Sequence, residues 1–183
     1  MEPDAAGFSG PAVRVPTVED ISRLREIEAS ADSILPFATD PAWPAGASGE
    51  ARLTAPGFIL VSGQPAVGFV HVLQLGPRRW HLEQISVLAD RARQGIGRAL
   101  LRAALECVTQ AGGGEVTLMT FADLPFNAPF YATEGFVPVG DRGCDVADGT
   151  DSASDAALER FRVAESALGM SRWGRRVAMS RTL

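Results

Sequence analysis

The sequence predicts a mixed α/β fold, in which a mostly antiparallel sheet contains one parallel strand pair and is flanked by helices. Apolar runs separated by Gly and Pro turns predict an antiparallel meander over residues 57–88. A predicted helix over residues 95–110 and then a strand over 115–120 follow directly. Because a strand that returns through a helix lies parallel to the strand before it, the last strand of the meander and the strand at 115–120 are expected to form the parallel pair.

The chain before the meander predicts a short strand over residues 13–16, then a helix and a loop. Thr17 and Asp20 have the spacing of a capping box, which begins a helix that is expected to run to about Ala31. Three prolines interrupt residues 32–49, and this segment is therefore expected to be a loop with at most one helical turn.

Turn residues bound each strand of the meander, and the three strands are expected over residues 57–61, 66–75 and 79–88. Asn127 is expected to cap a short helix that carries Tyr131 and ends at Gly135. Three elements are predicted after it: a strand over residues 136–139, a helix over 155–168 and a last strand over 175–183.

Composition and charge narrow the function classes. The net charge of −5 argues against a general nucleic-acid binder, and no apolar run is long enough to span a membrane. Two cysteines are too few for a disulfide framework or a zinc cluster, and the lack of lysine excludes a Schiff base. The N-terminus is acidic and has no signal-peptide pattern, so we predict a cytoplasmic protein without a metal.

The length predicts one domain, or one domain with an extension. We expect a disordered leader over residues 1–10 and a single domain over 11–183, with its core in 12–140 and a C-terminal helix and closing strand in 141–183. The protein is expected to be a monomer or a homodimer.

The junction between the strand ending at Leu88 and the following helix is a candidate phosphate cradle. Gly95 and Gly97 allow backbone N–H groups to approach a ligand, and the helix N-terminus adds unpaired donors and the positive end of its dipole. The dinucleotide fingerprint would need a third glycine, and the P-loop would need a lysine. The alternative is a tight turn without a ligand.

Two motifs carry a resemblance to a known family. RQGIGRALL, residues 93–101, resembles the pyrophosphate loop of the GNAT superfamily of N-acetyltransferases, and NAPFYATEGF, residues 127–136, resembles that family's tyrosine-bearing helix followed by Gly-Phe. Two positions depart from the family pattern. Ala92 stands where the loop usually has Gln or Arg, and Leu124 stands where the helix motif usually has its asparagine.

The resemblance covers residues 12–140 and implies a twisted sheet that is splayed open between its parallel strands, with acetyl-CoA as co-substrate in the splay. Backbone N–H groups would meet the pyrophosphate, at Arg93, Gln94, Gly95, Ile96, Gly97 and Arg98. The pantetheine would pair with a strand edge formed by Ile85, Ser86 and Val87. The loop over residues 32–49 would cover the acceptor site, or would be a surface loop pinned to the core by its aromatic residues.

Acetyl transfer to an amine needs a group that takes up the ammonium proton. Glu83 is the first candidate, because strand alternation puts it on one face with Ile85 and Val87. His81 and a water molecule are the alternatives for this role. The competing interpretation of Glu83 is a carboxylate paired with an arginine such as Arg79.

The leaving thiolate needs a proton donor. Tyr131 is the only tyrosine of the chain and stands at the position of the family's general acid. Its alternative role is a ring packed in the core. His71, between two valines of a strand, is interpreted as structural.

The resemblance therefore implies an acetyl-CoA-dependent N-acetyltransferase that acts on the primary amine of a small molecule by direct attack on the thioester, and that binds neither nucleic acid nor membrane. Two alternatives stay open: an N-acetyltransferase for proteins or peptides, and a non-catalytic acyl-CoA-binding sensor.

Overall fold

The computed structural model describes residues 12–139 and 152–183 of the chain. Within these residues, seven strands form one mixed sheet in the order β1-β2-β3-β4-β5-β7-β6. The strands are β1 Val13–Arg14, β2 Gly57–Ser62, β3 Gly68–Gly76, β4 Arg79–Val87, β5 Glu115–Phe121, β6 Val137–Pro138 and β7 Arg176–Thr182. The α-helices are α1 Val18–Asp32, α2 Gly49–Leu53, α3 Ile96–Gln110, α4 Ala128–Thr133 and α5 Ser152–Ala167. Short 3₁₀ turns lie at Ala89–Arg91 and Met170–Trp173.

The predicted fold class is confirmed, and all strand pairs are antiparallel except β4 with β5. Helix α2 was not predicted; Ser48 caps it by accepting a hydrogen bond from the Ala51 N–H. Asn127 is the N-cap residue of α4, as predicted, but its side chain does not cap the helix and instead donates a hydrogen bond to Thr120 on β5. The predicted leader over residues 1–10 lies outside the described residues, and the division into domains stays a prediction.

The capping box of α1 is confirmed and is part of a larger hydrogen-bonded cluster around Asp20. The buried Asp20 carboxylate accepts hydrogen bonds from the guanidinium of Arg14 on β1, at 2.5 and 3.1 Å, and from the Thr17 N–H at 2.8 Å. It also accepts one from the Ala66 N–H at 3.3 Å. Asp20 therefore connects the start of α1 to β1 and to the β2–β3 turn.

Replacing Asp20 with alanine is expected to lower the free energy of unfolding by about 3 kcal/mol, because it leaves donors without an acceptor in a buried place. Hydrogen bonding from Arg14 holds the pKa of Asp20 well below its usual range. The difference between wild type and Asp20→Ala should thus be complete above the ordinary aspartate pKa of about 3.9 and decrease as the pH falls below it. Urea unfolding at several pH values measures this difference. The control is Glu19→Ala, at an exposed acidic residue in the same first turn, which should lower the free energy of unfolding by much less than Asp20→Ala.

The splay between the parallel strands is present. The register of β4 with β5 runs from Arg79↔Glu115 to Leu82↔Leu118 and stops there, although β4 continues to Val87 and β5 to Phe121. The later residues of β4 still pair with β3, up to Val87 with Gly68. The last half of β4 therefore has one edge that pairs with β3 and one edge that does not pair with β5, and a cleft opens between β4 and β5.

A β-bulge in β4 changes which side chains share a face. Leu82 pairs with Val72 and Gln84 with His71, so Glu83 is an extra residue between them. Side-chain alternation is therefore inverted at Glu83. Leu82 before the bulge and Ile85 after it both pack in the cluster formed with α3. The expectation that Glu83 shares a face with Ile85 and Val87 is wrong, and Glu83 instead lies on the face of His71.

Apolar side chains cover both faces of the sheet. Helix α3 packs on one face with Leu100, Leu101, Ala104, Leu105 and Val108, which join residues of β3, β4 and β5 in one cluster. Helix α1 packs on the other face through Ile21, Leu24 and Ile27. In the described part of the chain, no helix has the length and hydrophobicity needed to cross a membrane.

Candidate active site

A cavity of about 410 Å³ occupies the cleft between β4 and β5. Several parts of the chain form its walls: the last turn of α1, the segment 43–47, helix α2, the second half of β4, the end of β5, helix α4, the start of β7, and helix α5 with the 3₁₀ turn that follows it. Glu83 and Tyr131 both line this cavity, and so does His81. The three residues that the sequence predicted for proton transfer thus lie around one space, although they belong to distant segments.

Two residues hold the carboxylate of Glu83 in place. The guanidinium Nη1 of Arg52 on α2 contacts Glu83 Oε2, and His71 Nδ1 on β3 lies 2.9 Å from the same oxygen. Burial by itself raises the pKa of Glu83, but the hydrogen bond from His71 and the charge of Arg52 outweigh it and leave this pKa below its usual value. Glu83 is therefore ionised at neutral pH.

Arg52 and His71 were not identified as site residues from the sequence. The competing interpretation of Glu83, a carboxylate paired with an arginine, is confirmed, and the arginine found here is Arg52. Arg52 lies 31 positions before Glu83 on a helix of one turn, so no local pattern indicates the pair. His71 looks like a core residue because Val70 and Val72 surround it, and only the strand register shows that it faces the bulge.

His81 has a different environment from Glu83. Its Nδ1 lies 2.9 Å from Thr117 Oγ1, and its ring stacks on Phe161 of α5 with a centroid distance of 3.9 Å and an interplanar angle of 6°. Burial lowers the pKa of His81 to about 4, against a weaker opposing effect of the Glu83 charge. His81 is only 3% exposed beneath Phe161, whereas the Glu83 side chain is 32% exposed in the cavity, and this difference in access favours Glu83 over His81 for the uptake of a proton from an acceptor.

Tyr131 combines both interpretations made from the sequence. Its ring packs edge-on against Phe130 and Phe136, with centroid distances of 5.1 and 5.8 Å, and it belongs to the core cluster on the α3 side. It also lines the cavity. Burial raises the pKa of Tyr131 above its usual value, although the charge of Arg176 opposes this. The hydroxyl therefore keeps its proton at neutral pH.

The segment over residues 32–49 covers the cavity and is pinned by aromatic residues, so the two interpretations of this segment are compatible. Trp43 lines the cavity, and its indole N–H donates a hydrogen bond of 2.9 Å to Asp32 at the end of α1. The ring of Trp43 packs 4.8 Å from Phe37 and 5.0 Å from Trp173. Burial raises the pKa of Asp32, against the effect of the Trp43 hydrogen bond.

The cavity is acidic. Four carboxylates and two guanidinium groups line it, from Glu28, Asp32, Glu83, Glu165, Arg52 and Arg176. Arg52 pairs with both Glu28 and Glu83, and Arg176 pairs with Glu165. Asp32 has no ion-pair partner among the described residues, and Arg52 is one cation between two carboxylates, so carboxylates outnumber cations in the cavity. Burial raises the pKa of Glu28 and of Asp32, and a cation beside them would favour their charged forms. A cationic amine is the kind of molecule that such a cavity attracts.

The predicted phosphate cradle lies at the start of α3. Gly95, with a φ of 80°, is in the left-handed region that favours glycine, and no side chain of the described residues caps the helix. A Cβ atom built on Gly95 would have no heavy atom within 4 Å, and one on Gly97 would meet only Val87 Cγ2 at 3.9 Å. Open space therefore adjoins the uncapped N–H groups, which fits a bound phosphate.

Three side chains of the predicted loop, those of Gln94, Ile96 and Arg98, contact other parts of the protein. Arg98 forms an ion pair of 2.8 Å with Glu134, and Gln94 donates a weak hydrogen bond of 3.5 Å to the Asp90 carbonyl. Ile96 is buried in the α3 cluster, and Arg93 has a positive φ of 65°. The cradle is thus made of backbone groups. On the strand edge, Ser86 is buried and its hydroxyl accepts a hydrogen bond from Gln84.

The sequence model of the acetyltransferase (GNAT) family matches residues 21–136. Among solved structures, the fold is similar to Mycobacterium tuberculosis Rv2747 in complex with CoA, with a TM-score of 0.65, 18% identity, and 94% of this chain and 99% of that chain covered. It is also similar to the Escherichia coli ribosomal-protein-S18-alanine N-acetyltransferase, with a TM-score of 0.61, 18% identity, and coverage of 93% and 92%. Nourseothricin acetyltransferase matches with a TM-score of 0.58, 20% identity, and coverage of 95% and 99%.

Proposed function

Because the chain belongs to the GNAT family of acetyltransferases and is therefore an acyltransferase, we propose that it transfers the acetyl group of acetyl-CoA to the primary amine of a small molecule. The observation that carries the proposal is the acidic cavity in the splay, into which Glu83 and Tyr131 both project from separate elements. Its volume of about 410 Å³ is that of a small-molecule site.

The walls of the cavity support a small acceptor over a peptide. The segment 43–47 closes it on one side, and α5 closes it on the other, where Phe161 covers His81. Trp43 and Trp173 pack edge to face and connect the two covers. A peptide needs an open groove that lets its chain leave the site in an extended form, and these covers narrow such a path.

The backbone around the splay supports the binding of acetyl-CoA. The uncapped N–H groups from Arg93 to Arg98 would hold its pyrophosphate, and the free edge of β4 at Ile85, Ser86 and Val87 would pair with its pantetheine. When bound, acetyl-CoA supplies the thioester whose acetyl group the amine nitrogen attacks. Both binding surfaces are main-chain groups, so this site depends on the fold rather than on particular side chains.

Glu83 and Tyr131 would move the two protons of the reaction. An alkylammonium with a pKa near 10.4 is protonated at neutral pH, and Glu83 would take up the proton that its nitrogen loses, directly or through a water molecule. The carbon–nitrogen bond forms as the carbon–sulfur bond breaks, and the sulfur leaves with the electron pair. Tyr131 would donate its hydroxyl proton to that sulfur. Backbone N–H groups at Ile85 to Val87 would polarise the carbonyl.

Calorimetry with acetyl-CoA, followed by a thiol-release assay over matched panels of small primary amines and short peptides, tests the proposal. We expect binding in the micromolar range and turnover of small amines at least about tenfold faster than of any peptide, because the covers narrow the site. Faster turnover of peptides would contradict the small-molecule acceptor. Binding without turnover of either panel would instead support a sensor. The cytoplasmic location and the monomeric or homodimeric state stay predictions.

A further inference from the structure

The two groups that hold Glu83 converge on one oxygen of its carboxylate. Arg52 Nη1 and His71 Nδ1 both contact Oε2, whereas Oε1 has no hydrogen-bond partner among the described residues. The Glu83 side chain is 32% exposed and lines the cavity. Oε2 is therefore held by Arg52 and His71, and Oε1 is accessible from the cavity. This division of the carboxylate is the feature from which the inference starts.

Arg52 is itself fixed at both ends of its guanidinium. Its side chain is only 2% exposed; Nη2 lies 2.7 Å from Glu28 Oε2 on α1, and the group stacks 5.3 Å from the ring centroid of Phe69. Its Nη1 also lies 3.4 Å from His71 Nδ1. With Nη2 on Glu28 and Nε buried without a hydrogen-bond partner in the described part of the chain, Nη1 is the donor that Arg52 offers to Glu83.

We propose that Arg52 and His71 are positioning residues for the reaction: they fix Oε2 of Glu83 against the cavity wall and keep the carboxylate charged, so that Oε1 is free to take up the proton of the acceptor amine. This inference rests on the proposed function. A carboxylate that is already protonated cannot accept a proton; burial disfavours the charged form of a carboxylate, and a neighbouring cation favours it. Arg52 supplies the charge, and His71 supplies a second contact that fixes the rotamer.

The charged and titratable groups around Glu83 come from several elements. The nearest are Arg52 on α2, His71 on β3, Glu28 on α1 and His81 on β4; Asp32, Glu165, Arg176 and Tyr131 line the same cavity from α1, α5, β7 and α4. Glu28 and Glu83 each disfavour the charged form of the other, so the effect of Glu28 on Glu83 is opposite to that of Arg52. Arg52 is therefore the one cation in direct contact with Glu83 among the described residues.

The test is the pH dependence of kcat/KM for Arg52→Gln. Removing the cation raises the pKa of Glu83, and the variant should lose at least about tenfold in kcat/KM relative to wild type near pH 5.5 while lying within about threefold of it near pH 9. A merely structural role for Arg52 would lower activity by the same factor at every pH. A uniform loss would therefore overturn the proposal.

Glu28→Gln is the matched control. This variant changes the other carboxylate that pairs with Arg52 but leaves the Arg52 cation beside Glu83. The pH range in which its kcat/KM falls on the acidic side should therefore not move to higher pH. If Arg52→Gln does not fold, the double variant Arg52→Gln/Glu28→Gln removes one charge of each sign and keeps the net charge of the group. It should show the same acidic loss. His71→Asn should also lose kcat/KM at low pH, because the hydrogen bond from His71 lowers the pKa of Glu83 in the same direction as the charge of Arg52.

A second readout separates this inference from the proposed acetyl transfer. The side-chain carboxyl carbon of Glu83, followed by NMR in ¹³C-labelled protein and assigned with Glu83→Gln, titrates whether or not an amine is turned over. A Glu83 titration at higher pH in Arg52→Gln than in wild type is expected, and an unchanged titration would overturn the inference even in an active enzyme. If no amine reacts but the titration moves as expected, the proposed function fails while the positioning of Glu83 stands.

Discussion

Substituting Gly97 with aspartate is expected to weaken the binding of acetyl-CoA by at least about a hundredfold while leaving the protein folded. A carboxylate near the start of α3 would occupy the open space beside the uncapped N–H groups and would repel the pyrophosphate. The fold should tolerate it, because the nearest atom to a Cβ at this position is Val87 Cγ2 at 3.9 Å. An acidic residue in the first turn even stabilises a helix through its dipole, by about 0.3–1 kcal/mol.

Binding and stability should thus move in different directions, and the two are measured by calorimetry with acetyl-CoA and by thermal unfolding. Gly76→Asp is the matched control. It makes the same change of charge at a glycine of β3 whose Cβ would also meet no atom within 4 Å, away from the start of α3. Its affinity for acetyl-CoA should stay within about threefold of wild type. Undiminished binding by Gly97→Asp would mean that Gly95 and Gly97 only form a tight turn.

The second large effect is expected from Tyr131→Phe, which should lower kcat by about a hundredfold or more and leave the affinity for acetyl-CoA within about twofold. The variant removes the only proton that this side chain can donate to the leaving sulfur. Phenylalanine keeps the ring and its edge-on contacts with Phe130 and Phe136, so the core cluster stays packed. Steady-state kinetics with the best amine of the panel, together with calorimetry, measures both quantities.

The melting temperature of Tyr131→Phe is the internal control, since an unchanged value shows that the lost activity does not come from lost packing. A kcat of Tyr131→Phe within about threefold of wild type would mean that Tyr131 only packs in the core and does not donate the proton. A variant that lost affinity and kcat together would make the hydroxyl a binding group and not a proton donor. Because burial raises the pKa of Tyr131, this residue should keep its proton, and so remain a proton donor, when the kinetics of the wild type are measured at alkaline pH.

The strands and the long helices were predictable because their signals are local. Alternation and helical periodicity repeat within a few residues, and the capping box of α1 needs only Thr17 and Asp20. The crossover through α3 then required β4 and β5 to be parallel. Helix α2 was missed because one turn is too short to show a period, and it carries Arg52.

The bulge at Glu83 shows where the local signals end. Alternation counted along β4 put Glu83 on the wrong face, because one extra residue in a strand inverts every side chain after it. The bulge is defined by the pairing of Leu82 and Gln84 with β3, which is a relation between two strands. No count within β4 alone contains that relation.

By itself the sequence determined the fold class, the glycine turn at the start of α3 and the family of the chain, because each is encoded by residues that are neighbours in sequence. Only the tertiary structure decided the surroundings of Glu83, which Arg52 reaches from 31 positions away and His71 from 12. It also decided that His81 lies beneath Phe161 and that Asp32 faces the cavity. The physical reason is that the charge state of a buried group depends on what packs around it, and packing brings together residues that no sequence motif connects.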